Sequence, residues 1–259
     1  MARVLITGGS GLIGRRVAEA YKADGSDELV GIRRSDVDLL APGAWLAVFN
    51  ELLPDVVIHL AWSASALPDY RSHDDNWRWA ETTIEAATTA VQRGIRFLAT
   101  GTSVDIAPAR DAYSMSKAAT REALATRIAS GDVGWLRPFY VFDEERPSPA
   151  VLRAALDANS AGRPVRLASP HALHDFVHAK DVGTAIRSIV EGGLMGSLDL
   201  GSGARATVAD LVEAYGCRWV ADGTASQVAA SEAAADVAVL RVAGWTPRVT
   251  DARLHRVGG

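Results

Sequence analysis

The 259-residue chain has one cysteine, Cys217, so it cannot close a disulfide on itself. That poverty of cysteine points to a reducing compartment, the cytoplasm. An excess of positive charge is also missing. With 27 Lys and Arg against 31 Asp and Glu the formal net charge is −4, which argues against a broad basic face for nucleic acid or for an anionic membrane. Any anion must be met by local arginines. No apolar run approaches the roughly 18 residues that span a bilayer, and the opening MARVLITGGS reads as a buried strand running into glycines rather than as a signal peptide. There is no internal repeat and no low-complexity linker. What remains is ordinary globular composition, 48% hydrophobic and 22% charged, in a chain long enough for one large domain with or without a smaller lobe.

What the sequence does have is alternation. RVLIT is a short β-branched run, GGSGLIG a tight turn, and RRVAEAYKADG a helix closed by glycine. DELVGIRRS, DVVIHLAW and IRFLATGTS read as further strands, WLAVFNELLP and the run from Asn76 to Gly94 as helices, and VGWLRPFYVF as a single strand after a helix closing near ASG. DVVIHLAW is continuous in hydrophobicity, as a strand buried on both faces is. The alternation predicts a parallel sheet with helices on both sides. After about Val141 the pattern loosens: a turn-rich DEERPSP, the helix AVLRAALDANSAG, a returning helix in FVHAKDVGTAIRSIVEGG, the strand GSLDLGSG, then short alanine-rich pieces up to GWTPRV. These pieces suggest a small second lobe.

Between the first strand and the first helix, Gly8, Gly11 and Gly14 form a G-x-x-G-x-x-G series. Glycine there lets the backbone approach a pyrophosphate while N–H groups and the helix dipole face the anion. The second strand ends in GIRRSD, with Arg33 and Arg34 where a cofactor's ribose is read. An acidic residue at that place suits NAD, an arginine the 2′-phosphate of NADP; the two arginines point to NADP(H), against the plainer reading of two solvated loop residues.

DAYSMSKAAT sets Tyr113 and Lys117 four residues apart at the start of a helix-prone run, so the two side chains lie one above the other. Two readings stand. One is a surface helix with a half-buried aromatic and a solvated lysine. The other is an acid catalyst, the nearby cation lowering a phenol pKa that is ordinarily near 10.

Together TGGSGLIG, HLAW, ATGTS, YSMSK, LRPFYVF, HDFVHAKDVGTA and the final GWTPRV resemble, in order and over most of the chain, the extended short-chain dehydrogenases/reductases of the NAD-dependent epimerase/dehydratase group. The resemblance implies an α/β fold: a Rossmann-type doubly wound parallel sheet with a small α/β C-terminal substrate lobe. The NADP-binding domain is expected over 1–141 with about 175–200, and the lobe over about 142–174 and 201–259. It implies that Tyr113 is the proton donor, that Lys117 lowers its pKa and holds the nicotinamide ribose, and that a third hydroxyl, Thr102 or else Ser103, orients the carbonyl. The implied cofactor contacts are Gly8, Ser10, Gly11, Leu12, Ile13 and Gly14 in the first loop, then Arg33, Arg34, Asp38 and Leu39. Leu60 and Ala61 follow, with Trp62 where a small residue is commoner, then Asn76, Thr100, Tyr113 and Lys117. Pro138, Phe139 and Tyr140 complete the set as the segment that packs on the nicotinamide.

The sequence departs from that pattern in places. Ten residues separate Thr102 from Tyr113, about half the usual number, and His174 replaces the arginine usual before Asp-Phe. Thr102, Ser103 and Val104 stand where dehydratases have Thr-Asp-Glu, so acid/base groups for removing water are absent. Epimerases that re-reduce one carbon retain NAD, which the two arginines oppose, and Cys217 lies far from the motif of the cysteine-histidine epimerases. The short passage between the second and third strands resembles nucleotide-sugar 4-ketoreductases. The expected function is NADPH-dependent reduction of a 4-keto-6-deoxy nucleotide sugar, with an NAD-dependent epimerase or a non-catalytic NADPH-binding regulator as alternatives. Histidines 171, 174 and 178 read as loop and packing residues, and no metal is expected. By the same resemblance the long helix from about Asn76 and the helix from about Tyr113, both rich in alanine and threonine, correspond to the pair that forms a four-helix dimer interface in many relatives, so a homodimer is expected.

Overall fold

RVLIT, buried at four of its five positions, forms β1 (Arg3–Thr7) in a computed structural model that describes residues 2–23, 27–62, 69–103, 111–222 and 233–254. The glycine loop leads into α1 (Leu12–Lys22), followed by β2 (Glu28–Ile32), α2 (Ala44–Leu52), and β3 (Val56–His59), buried at every position. Next come α3 (Asp75–Gln92), which ends just before Gly94 at φ +70°, and β4 (Arg96–Thr100). The positive φ explains why glycine stands at that helix end.

The helix carrying the Tyr-Lys motif is α4 (Ala112–Ala123). Its start is written locally: the Asp111 carboxylate accepts the Ser114 N–H, and the Ser114 hydroxyl accepts the Asp111 N–H, a reciprocal capping box. The expected single helix as far as ASG is broken. The chain turns at Leu124 (φ −98°, ψ 3°), whose side chain is buried in the core, and resumes as α5 (Ala125–Ala129).

VGWLRPFYVF is likewise two strands rather than one: β5 (Val133–Pro138) and β6 (Tyr140–Phe142). Pro138 has no N–H of its own. The Phe139 N–H still reaches the neighbouring strand of the large sheet, at the Leu200 carbonyl (3.0 Å), but the Tyr140 N–H goes to the Asp175 carbonyl at 3.1 Å and Tyr140–Phe142 pairs with Phe176–His178 in a separate two-stranded sheet. Beyond β6 lie α6 (Ala150–Ser160), β7 (Val165–Leu167), β8 (Leu173–His174), β9 (Phe176–His178), α7 (Ala179–Glu191) and β10 (Gly196–Leu200). The chain then continues through β11 (Ala206–Thr207), α8 (Val208–Glu213), β12 (Trp219–Ala221), α9 (Ala238–Val242) and α10 (Arg248–Leu254). No helix among the described residues is long and apolar enough to cross a membrane.

The chain divides into two compact units, Met1–Pro138 with Ile186–Leu198, and Phe139–Ala185 with Asp199–Gly259. The first carries a six-stranded sheet in the order β10-β5-β4-β3-β1-β2. Its β1–β2, β1–β3, β3–β4 and β4–β5 pairs are parallel, with flanking helices, the Rossmann-type arrangement the alternation predicts. On one side of this sheet Trp45, Phe49, Phe97 and Trp135 are fully buried in the core with Ala86, Ala87 and Ala90 of α3. Small alanines let α3 lie close to the strands it covers.

The second unit has short strand pairs, β6 with β9 and β7 with β12, both parallel, and β8 with β11 antiparallel. Two buried carboxylates fasten its loops. Asp175 accepts the N–H and hydroxyl of Ser202 and the N–H groups of Gly203 and Ala235. Asp181 accepts the N–H groups of Val249 and Thr250 and the Thr250 hydroxyl, which ties GWTPRV to the returning helix α7. A carboxylate with three or four donors is satisfied despite burial.

Candidate active site

The strand order reverses at β1, which has β2 on one side and β3 on the other. The connections that follow β1 and β3 lead toward opposite edges of the sheet, and open α/β sheets take ligands at such a point. Gly8 has φ +72°, and a Cβ on it would come within 2.7 Å of the Ala61 nitrogen and 2.8 Å of the Leu60 carbonyl carbon. A Cβ on Gly14 would lie 2.3 Å from the Gly8 oxygen, and the Gly11 N–H donates to that same oxygen at 2.9 Å. The loop from β1 thus folds tightly on itself and on the loop from β3. Gly11 is the N-cap of α1 and offers no side-chain cap, and the helix has no acid in its first turn, so its N-terminal N–H groups and dipole suit an anion. Leu12 and Ile13 are half-buried beneath this turn and Ser10 is exposed on it. The cradle fits a dinucleotide pyrophosphate.

Gly9, Ser10, Gly31, Ile32 and Arg33 line one cavity of about 570 Å³, which Ala18, Tyr21, Lys22 and Asp27 also border. Of the two exposed arginines, Arg33 belongs to this lining and Arg34 does not. The Arg33 backbone is held by Asp36, whose carboxylate accepts its N–H at 3.0 Å. Asp38 caps the next turn by accepting the Leu40 N–H at 3.1 Å. Leu39 packs its side chain into the core and offers its carbonyl to the Thr82 hydroxyl at 2.7 Å.

Lys117 is 3% exposed. Its Nζ donates to the Thr100 carbonyl at 2.6 Å and lies 3.3 Å from the centroid of a Trp62 ring. The solvated-lysine reading of the motif fails on this burial. Tyr113, half-buried one turn earlier, meets Trp62 and Tyr70 edge to face, with ring centroids 6.4 and 5.3 Å away. The Arg71 guanidinium stands 5.9 Å over the Tyr113 ring and pairs with Asp111 at 2.7 Å. Asn76, 3% exposed, accepts the Trp62 indole N–H at 2.8 Å and donates to the carbonyls of Tyr70 and His73 at 2.6 and 2.8 Å.

His59, at the end of β3, is a member of the site that the motifs did not single out. Its Nδ1 accepts the Thr7 hydroxyl at 2.7 Å, and its Nε2–H donates to Thr83, whose own proton goes to the Trp79 carbonyl. Burial, with a smaller push from the Lys117 charge, lowers its pKa to about 3. A neutral imidazole therefore backs the lysine. The His59 carbonyl also accepts the Thr100 hydroxyl at 2.8 Å, so the ends of β3 and β4 are cross-linked at the motif. Thr102 and Ser103 follow β4, both half-buried; Val104, with the rest of 104–110, lies outside the described residues.

Pro138 closes β5 in the first unit, whereas Phe139 and Tyr140 belong to the second. In the second unit Tyr140 stacks on His174 at 3.9 Å between ring centroids, and both border a cavity of about 340 Å³ with Arg166, Ser169 and Phe176. His178 accepts the Lys180 N–H at Nδ1 and donates from Nε2 to Glu144. Glu144 also accepts from Tyr215 and Arg253. Burial works against its ionisation, but these donors outweigh it and hold the carboxyl at about 2. His171 faces Trp219 on the surface.

A Rossmann-type sheet with a glycine cradle at its switch point and a tyrosine-lysine helix is an arrangement suited to an NAD(P)-dependent α/β enzyme. The chain belongs to the NAD dependent epimerase/dehydratase family, which matches residues 4–195. Solved structures share the fold at low identity. UDP-glucose 4-epimerase of Thermus thermophilus, in complex with NAD, is 21% identical, with TM-score 0.70 over 99% of this chain and 100% of that one. The dTDP-glucose 4,6-dehydratase of Bacillus anthracis str. Ames, also with NAD, is 17% identical, with TM-score 0.74 over 98% and 94%. The dTDP-4-dehydrorhamnose reductase of Yersinia enterocolitica is 18% identical, with TM-score 0.72 over 86% and 84%.

Proposed function

We propose that the chain is an NADPH-dependent ketoreductase acting on the keto group of a nucleotide-activated 4-keto-6-deoxy sugar. The observation that carries this reading is the burial of Lys117, one helical turn from Tyr113, with its ammonium on the Thr100 carbonyl. A charge is kept out of water at such cost only where it has partners or a task. When bound, NADPH supplies the hydride. Gly8, Gly11 and Gly14 with the first turn of α1 would hold its pyrophosphate, and Arg33 its 2′-phosphate. Tyr113 delivers a proton to the carbonyl oxygen, so the C=O becomes CH–OH, and the Lys117 cation stabilises the phenolate left behind. Thr102 or Ser103 orients the carbonyl.

Reduction is favoured over elimination because the strand-end segment has no acid-base pair for removing water. It is favoured over cysteine-dependent epimerisation because Cys217 is buried among Val165, Leu167 and Val212, where burial raises its thiol pKa. Such a thiol is a poor proton carrier. The buried lone cysteine also accords with a reducing cytoplasm. The neighbours solved with NAD keep an NAD-retaining epimerase as the second reading.

The test is a panel of 4-keto nucleotide sugars with NADPH and with NADH, followed by loss of nicotinamide absorbance. Net oxidation of NADPH with one panel member supports the ketoreductase. Protein that purifies with NAD bound, and interconverts sugar epimers without net oxidation, rejects it. A charge-assisted hydrogen bond contributes about 1.5–3 kcal/mol, so Arg33→Ala should weaken NADPH binding roughly 10- to 100-fold and leave NADH binding unchanged.

A further inference from the structure

We propose that Trp62 is a positioning residue that holds the Lys117 ammonium in place. This rests on reading Tyr113 and Lys117 as the proton-delivering pair. The lysine stem is long and flexible, and a charge at its end acts on the Tyr113 oxygen only if it is prevented from swinging. The structure clamps it from two directions. The Thr100 carbonyl takes one N–H at 2.6 Å, and the Trp62 ring presents its face to the Nζ at 3.3 Å. A cation against an indole face is attracted by the negative potential of the ring, more strongly in a desolvated site.

The indole is itself anchored. Its N–H donates to the Asn76 side-chain oxygen at 2.8 Å, and the Asn76 amide nitrogen is braced on the carbonyls of Tyr70 and His73. Trp79 stacks on the ring, 6.3 Å between centroids and 29° between planes. The edge contact between Trp62 and Tyr113 joins the same indole to the phenol. A line of fixed groups therefore runs from the start of α3 through Asn76 and Trp62 to Lys117. Asn76 is the strut of the indole in this line.

Trp62→Leu removes the ring face and Trp62→Phe keeps one. In the wild-type protein the Lys117 side-chain ammonium should give an NMR signal displaced by the indole ring current. That displacement should vanish in the Leu variant and persist, reduced, in the Phe variant. In the keto-sugar assay the Leu variant should lose roughly tenfold or more in kcat, with melting temperature followed in parallel. The Phe variant should recover a large share of the rate, which a general loss of packing would not allow. A Leu variant with wild-type kcat overturns the proposal. So does a wild-type displacement that disappears at saturating NADPH, because the ring would then be a plug that the cofactor pushes aside. If wild type reduces no keto sugar, the ketoreductase reading fails, and the ammonium signal alone still decides whether Trp62 holds Lys117.

Discussion

Lys117 and Thr100 meet through a 2.6 Å hydrogen bond from the lysine Nζ to the threonine carbonyl. The bond fastens α4 to the end of β4, and Tyr113, one turn nearer the start of that helix, is carried with it. Replacing Tyr113 by Phe leaves this bond and the ring contacts with Trp62 and Tyr70 in place while removing the proton donor. General acid catalysis is worth a factor of about 10² to 10⁴, so kcat of Tyr113→Phe should fall within that range with NADPH affinity nearly intact. Undiminished turnover would remove Tyr113 from the mechanism.

Gly14 lies in the third residue of α1, where alanine is ordinarily better than glycine by roughly 0.5–1 kcal/mol. Here the sign should reverse, because the added Cβ would be 2.3 Å from the Gly8 oxygen and 2.7 Å from the Gly9 Cα, both backbone atoms that cannot yield alone. Gly14→Ala should lower the melting temperature and weaken NADPH binding together. Gly9→Ala, whose Cβ would meet only Ile6 at an ordinary 3.7 Å, should keep its melting temperature. Equal behaviour of the two variants would contradict the packing described.

Acidification tests His59. Its folded pKa of about 3 lies below the ordinary 6.5, so the unfolded state takes up a proton that the folded state refuses. Stability is full above about pH 6.5 and falls as pH drops toward 3, with a slope near 1.4 kcal/mol per pH unit for one proton. Glu144, held at about 2 against 4.5, adds a further loss only below about pH 4.5. Urea unfolding midpoints at pH 7, 6 and 5 should fall in wild type, and the slope should shrink in His59→Asn even if that variant is less stable throughout. An unchanged slope would mean that His59 is protonated in the folded protein.

Association should be visible in solution. Helices α3 and α4 pack side by side, and Trp77 and Met115 on them are 41% and 47% exposed. Large exposed apolar side chains on two packed helices are a common basis for a twofold dimer. Sedimentation at micromolar concentration should show twice 27.4 kDa, shifting toward monomer in Trp77→Asp. A wild-type monomer would reject the dimer.

Much of this protein is legible locally. The alternation of strands and helices follows from apolar periodicity, the glycine loop from three glycines spaced three apart between a strand and a helix, and the start of α4 from Asp111 and Ser114 three apart. The stacking of Tyr113 and Lys117 on one helix face needs only the pitch of the helix. The breaks were less legible. LRPFYVF looks continuous in hydrophobicity, yet β5 stops at Pro138 because the residues after it leave the large sheet: the Tyr140 N–H goes to the Asp175 carbonyl, and β6 pairs with β9.

Residue order and spacing therefore determined most of the elements, the turn at the cradle and the placing of Tyr113 and Lys117 on one helix face. Only the tertiary structure decided that Trp62 covers Lys117, that His59 stands neutral between Thr7 and Thr83, and that Glu144 gathers His178, Tyr215 and Arg253 from 34, 71 and 109 positions away. Helical pitch and strand alternation relate near neighbours only. Which distant side chains meet is set by strand order, register and the close packing of helices on the sheet, and these emerge only when the whole chain is folded.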